Sequence, residues 1–189
     1  MNGLCEAAAE VQAFMQERGW RFCFIGGLAL QRWGEPRVTR DVDLTLLTGF
    51  GEEERYIEEL LSHFDARRPD AAEFALRNRV LLLRASNGTG IDLSLGGLPF
   101  EELMVGRASA VDFGSGARLT ICSGEDLVVL KAFSARLQDW VDVENILARQ
   151  RGRLDWAYVN EQLTPLCELK GEPEIPDHLA ALRTKIANE

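Results

Sequence analysis

Two consecutive glycines constrain this chain more than any other feature. Gly26-Gly27 end a short apolar run, Phe22 to Ile25, at a point where a chain without Cβ atoms can turn tightly and bring backbone N–H groups against a ligand. Leu28 to Trp33 reads as the start of a helix. The pair would then sit at a helix N-terminus, where orphan N–H groups and the macrodipole favour phosphate. Beyond Gly34-Glu35-Pro36 a second strand is expected, and in Asp41-Val42-Asp43-Leu44 two acids alternate with two aliphatics. A period of two puts both carboxylates on one face of that strand. At a separation of about 4 Å and an effective dielectric of about 20, such a pair repels by roughly 4 kcal/mol. A divalent cation shared with phosphate oxygens is one way to offset the repulsion; full solvation on an edge strand is the other reading.

Taken together, Gly26-Gly27, Ala29, Gly34, Arg37, Thr39 and Asp41-Val42-Asp43-Leu44 resemble the signature G-G-x-A…G-x-x-R-x-T-x-D-x-D-L. That signature belongs to the minimal nucleotidyltransferases of the DNA polymerase β-like superfamily, and the likeness extends to the AbiEii/AbiGii toxin-like proteins. The resemblance implies an α/β (α+β) nucleotidyltransferase fold, a small mixed sheet with helices packed behind it and a C-terminal helical tail. It implies Mg²⁺ (or Mn²⁺) as cofactor and an NTP as substrate, with Asp41 and Asp43 as catalytic metal ligands. Gly26, Gly27, Arg37 and Thr39 become nucleotide-binding residues.

The remaining chain can be read in order. Leu4, Ala7, Ala8, Val11, Phe14 and Met15 recur at helical intervals, predicting an amphipathic helix from about 3 to 18 that ends at Gly19. EEERYIEELLSHF makes a second helix with acids in its first turn. Arg67-Arg68-Pro69-Asp70 interrupts the pattern, and Ala71 to Leu76 fits a short helix or an irregular segment. Val80 to Arg84, an Asn87-Gly88 turn and a returning strand from Gly90 to Leu95 form a hairpin. The returning arm carries Asp92 between Ile91 and Leu93, and a partly buried carboxylate needs a partner or a metal. The resemblance makes Asp92 the third catalytic and metal-binding acid, taking the acceptor's proton; an Asp that caps the hairpin or pairs with an arginine is the structural alternative. Leu98 to Ala108 is an unassigned connection. Gly114-Ser115-Gly116 reads as a turn.

A last strand from Arg118 to Cys122 leads to Ser123, which can cap a helix whose inner face is Leu127, Val128, Leu130 and Phe133. Lys131 lies beside that stripe, a position from which a lysine usually snorkels to water. The resemblance instead makes it a nucleotide-phosphate ligand, since the segment looks like the L-x-x-L-K…R…D-x-x-D of related proteins. Arg136, Asp139 and Asp142 fall at matching places, and the two acids share a helix face, to pair with Arg136 or line an acceptor pocket. Arg149, Arg151 and Arg153 mark a linker before two helices starting near Asp155 and Asp177. The expected division is a nucleotidyltransferase core over 1–122 and a helical region over 123–189 packed on it.

Composition narrows the partners. With 21 basic and 30 acidic residues the formal charge is −9, which disfavours general binding to nucleic-acid backbone and leaves room only for local basic patches. The N-terminus lacks a basic stretch followed by an apolar one, and no run is long enough to span a bilayer, so a cytoplasmic protein with no membrane partner is expected. Cys5, Cys23, Cys122 and Cys167 are scattered, which argues against zinc and against a disulfide framework. The implied partners are the NTP and an acceptor hydroxyl on RNA, protein or a small molecule. A toxin would add a cognate antitoxin; a non-catalytic binding module and an aminoglycoside-type enzyme are the competing readings.

Overall fold

The computed structural model describes residues 3–114 and 118–188. By internal contacts the chain divides into two units, one made of the residues up to Leu28 with Val38–Cys122, the other of Ala29–Arg37 with the residues from Ser123 onward.

The first unit holds a mixed sheet of seven strands among the described residues: β1 (Phe22–Phe24), β2 (Asp41–Leu47), β3 (Asp65–Ala66), β4 (Val80–Arg84), β5 (Gly90–Gly96), β6 (Ser109–Asp112) and β7 (Arg118–Ile121). Their spatial order is β3-β4-β5-β2-β1-β7-β6. The acid-bearing β2 is thus the middle strand and not a solvated edge. It runs antiparallel to β1 and parallel to β5. Val42 lies opposite Ile91, Leu44 opposite Leu93 and Leu46 opposite Leu95, and all six are buried. Leu81 and Leu83 of β4 extend the same apolar row. Each of these side chains contributes about 1.5–3 kcal/mol by leaving water, so a register slip that turned the row outward would be prohibitive. The alternate positions of β2 and β5 therefore have a fixed direction, and those positions carry Asp41, Asp43 and Asp92.

Helix α1 (Gly3–Glu17) buries Leu4, Ala7, Ala8, Val11, Phe14 and Met15 and packs on β2 and β7. The chain leaves it through Gly19 at φ +63°. The helix α2 starts at Gly26 and runs to Trp33, so the glycines are its first turn. Three further helices, α3 (Glu53–His63), α4 (Ala71–Asn78) and α5 (Pro99–Arg107), belong to this unit; α4 and α5 fill segments that periodicity left open. The hairpin between β4 and β5 is not a two-residue Asn-Gly turn. The Gly88 amide donates to Ala85 O and the Ala85 amide to Thr89 O, both at 2.9 Å, a longer loop with Gly88 at φ +86° in the left-handed position that such loops require. Of the turn expected at Gly114-Ser115-Gly116, Ser115 and Gly116 lie outside the described residues.

The second unit is helical: α6 (Gly124–Ser134), α7 (Leu137–Arg149), α8 (Trp156–Lys170) and α9 (Ile175–Ala187), together with the end of α2. Ser123 caps α6, its hydroxyl accepting the Asp126 amide at 3.1 Å. The buried face of α6 is Leu127, Val128, Val129 and Ala132, whereas Leu130 and Phe133 are only half-buried. The expected single stripe failed because α7, α8 and α9 all pack against α6, so a helix that reads as one-sided is enclosed on most sides. Asp126 is fully buried, and the Tyr158 hydroxyl of α8 donates to it at 2.5 Å.

Candidate active site

The acidic site lies in the first unit. Asp43 on β2 and Asp92 on β5 are directly opposed across the parallel ladder, and Asp41 lies opposite Gly90. The expected third acid is therefore beside the pair by register alone. Gly90 makes this possible, because a Cβ there would fall 2.0 Å from Asp41 Oδ1. Asp65 and Asp112 also stand on strands, but on β3 and β6 at the two ends of the sheet.

The glycine pair turns out to serve the same acids. Gly26 has φ +54°, and a Cβ on it would lie 2.1 Å from Asp43 Oδ2; one on Gly27 would lie 2.6 Å from Thr39 Cβ. The Gly27 amide donates to Asp43 Oδ2 at 3.3 Å, and the Ile25 amide to Asp43 O at 2.9 Å. Thr39 Oγ1 donates to Asp41 O at 3.3 Å. The spacing of glycines, threonine and acids is thus a packing requirement: a helix N-terminus pressed against the carboxylate that it helps to hold. Gly26→Ala is expected to destabilise the protein by about 2 kcal/mol or more, since it combines a left-handed backbone with a steric overlap. Denaturant unfolding measures it, and a wild-type midpoint would contradict the close approach.

Arg67 was missed by sequence reasoning. It follows β3, its amide donating to Leu82 O at 3.0 Å, and its guanidinium donates to Asp41 Oδ1 at 3.0 Å and to Asp92 Oδ1. Its side chain is 21% exposed, those of Asp41 and Asp92 42% and 38%. Burial pushes the Asp92 carboxyl above the ordinary range, against the pull of Arg67 and with the help of the Asp41 charge. Only the three-dimensional pairing of β3 with β4 brings Arg67 here; no local pattern announces it.

Among the described residues no group of three or more His, Cys, Asp or Glu is drawn closely enough to hold a metal ion. The donor chemistry nevertheless fits a hard divalent cation: oxygen ligands only, on neighbouring strands, half-exposed, with two glycines leaving the space. The fit requires Arg67 to give up its hold on Asp41 and Asp92. All four cysteines are buried, and among the described residues no disulfide joins them.

In the second unit Lys131 does not snorkel. It is buried, and its ammonium donates to Asp139 Oδ1 and Asp142 Oδ2 of α7, each at 2.7 Å. Arg37 joins the same cluster, Nε donating to Asp142 Oδ1 at 3.1 Å. Arg136 is largely exposed, with its Nε 3.9 Å from Asp139, so the acids pair chiefly with Lys131 and Arg37. Burial pushes the Asp142 carboxyl upward, but the hydrogen bonds from Lys131 and Arg37 outweigh it and hold the group below the usual range.

The family model for "Nucleotidyl transferase AbiEii toxin, Type IV TA system" matches residues 16–185. This chain belongs to that AbiEii nucleotidyltransferase family. No curated protein matches the sequence. Among solved structures, an antigenic nucleotidyltransferase-like protein from Paracoccidioides brasiliensis superposes with a TM-score of 0.60 at 16% identity, covering 96% of this chain and 92% of that one. Identity that low speaks for fold alone, and the fold is the nucleotidyltransferase fold. The antibiotic-resistance factor ANT(2″)-Ia (TM-score 0.47, 18% identity, 97% and 93% covered) and the lincosamide antibiotic adenylyltransferase LnuA (0.49, 10%, 75% and 94%) are looser likenesses. Among the described residues of this AbiEii family member, no helix is long and apolar enough to cross a membrane.

Proposed function

We propose that this family member transfers a nucleoside monophosphate from an NTP to an acceptor hydroxyl, as the toxin of a toxin–antitoxin pair whose antitoxin restrains it. The observation that carries the reading is the register of Asp43 against Asp92, with Asp41 joined to Asp92 through Arg67. Asp41, Asp43 and Asp92 would hold Mg²⁺ or Mn²⁺, which when bound offsets phosphate charge and lowers the pKa of the acceptor hydroxyl. Asp92, kept more basic than an ordinary carboxylate by burial, takes the hydroxyl proton. The acceptor oxygen then bonds to the α-phosphorus in line as the bond to pyrophosphate breaks. Gly26 and Gly27 present the positive end of α2 to the phosphates. Thr39 braces the strand beneath them, and Arg37 and Lys131 keep the phosphate-binding role that the family resemblance gives them.

The test is incubation of purified protein and cell lysate with each labelled NTP, followed by separation of RNA, protein and small-molecule fractions. Label in the RNA or protein fraction supports the toxin reading, label only in a small molecule supports a drug-modifying type, and no label in any fraction with any NTP defeats the enzyme. Arg67 gives a second measurement. Arg67→Gln is expected to lower the Mg²⁺ concentration for half-saturation in calorimetry roughly tenfold, because it removes a charged donor that competes for two of the ligands. An unchanged or weaker midpoint would mean that Arg67 supports these carboxylates and does not compete for them.

A further inference from the structure

The arginine run that reads as a linker in the sequence forms part of two adjoining clefts in the helical unit. One, of about 510 Å³, is walled by Arg32, Trp33, Glu125, Arg149 and Arg153. The other, of about 530 Å³, is walled by Arg151, Trp156 and Arg183 over an apolar floor that includes Leu147 and Ile186. Gln150 and Leu154 line both, so the two adjoin. Five guanidinium groups face one carboxylate, a local excess of four positive charges on a chain whose formal charge is −9.

These arginines differ from those that acids hold elsewhere in the protein. Arg18, Arg37, Arg67, Arg68, Arg77 and Arg79 are each paired with an acid. Among the described residues, none of the five cleft arginines forms an ion pair with an acid. Two of them lie over indole rings instead, Arg32 at 4.7 Å from the Trp33 centroid and Arg183 at 4.4 Å from that of Trp156. Each cleft thus offers a flat cation–π surface beside guanidinium charge that no acid neutralises, Arg149 donating to the Gly34 carbonyl.

The geometry points to a binding site for single-stranded RNA, with one nucleotide in each cleft. Arginine planes and indole rings stack bases irrespective of sequence, while the remaining guanidiniums meet phosphates. An acidic peptide would use the charges and leave the aromatic walls without a partner. Glu125, whose Oε1 accepts the Asp155 amide at 3.1 Å, repels phosphate but accepts from a ribose 2′-hydroxyl, which DNA lacks. The inference deepens the acceptor part of the proposed function and rests on it for its purpose, but binding is measured apart from transfer.

The experiment is fluorescence anisotropy of a short labelled RNA with the Asp43→Asn protein and no NTP. The background protein is expected to bind with an affinity that falls steeply with salt. Arg151→Ala and Arg153→Ala combined should make the log–log salt slope shallower by about 1.4, and Trp156→Ala alone should weaken binding roughly tenfold or more. The substituted arginines are exposed and Trp156 is half-buried, and thermal melts verify that the variants fold. Failure of the Asp43→Asn protein to bind RNA, or binding by the arginine variant with an unchanged slope, overturns the site. Equal affinity for DNA of the same sequence overturns the ribose contact and the choice of RNA, and displacement by polyglutamate at equal charge concentration reassigns the surface to an acidic protein. RNA binding by a protein that transfers no nucleotide would support the site while defeating the enzymatic reading; transfer to small molecules without RNA binding would do the reverse.

Discussion

Asp43→Asn is expected to reduce nucleotidyl transfer by about three orders of magnitude or more while leaving the fold intact. Asp43 stands in the middle of the acidic site, opposite Asp92 and two residues from Asp41, so no other carboxylate can replace it without a change of register. An effect of that size matches the removal of an electrostatic group positioned for the transition state. The folded state should hardly notice. The asparagine oxygen can still accept the Gly27 amide, which reaches Asp43 Oδ2 at 3.3 Å, and the lost charge relieves repulsion toward its acidic neighbours. Stability within about 1 kcal/mol of wild type is therefore expected from denaturant titration. Transfer at a wild-type rate would remove Asp43 from the chemistry, and unfolding of the variant would make the acid a structural element.

What could be read in advance follows physical range. Asp41 and Asp43 share a face because a strand has a period of two, and the glycines precede a helix because the apolar run stops there. Both are local facts. The pairing of Asp43 with Asp92 could be inferred only through the family signature, since parallel partners such as β2 and β5 are joined by a long crossover whose register no short pattern encodes. The reason for the glycines was only half legible: turning toward a ligand was visible, whereas the 2.1 Å approach of a would-be Cβ to Asp43 required coordinates. Arg67 could not be found at all, because a two-residue strand, β3, delivers it. The five arginines around Trp33 and Trp156 were hidden for a similar reason. Arg32 and Arg183 are distant in sequence from Arg149, Arg151 and Arg153, and only helix packing collects them.

Lys131 shows where charge and burial decide an outcome together. Lys131→Met is expected to destabilise the protein by about 3–5 kcal/mol, the usual cost of leaving a buried charge without its partner. Asp139 and Asp142 are 7% and 1% exposed. Without the ammonium Asp142 would keep Arg37 at 3.1 Å and the Gln138 amide at 3.3 Å, while Asp139 would keep only the exposed Arg136, at 3.9 Å, as an ion-pair partner among the described residues. The pH dependence supplies the sign. In the wild type Asp142 is held below the ordinary carboxylate range, so between its folded pKa and the unfolded value of about 3.9 the unfolded chain binds more protons. Its contribution to stability is then fully present above about pH 4 and is lost as the pH falls through the folded pKa. Lys131→Met should invert that slope, because the Asp142 carboxylate deprived of its ammonium partner is relieved by protonation, and its deficit should shrink on acidification. Combining Lys131→Met with Asp139→Asn and Asp142→Asn removes the stranded charges and should recover most of the stability. If Lys131 also binds phosphate, this triple variant will be stable yet weak in NTP binding, whereas recovery of both would confine the lysine to holding α6 against α7.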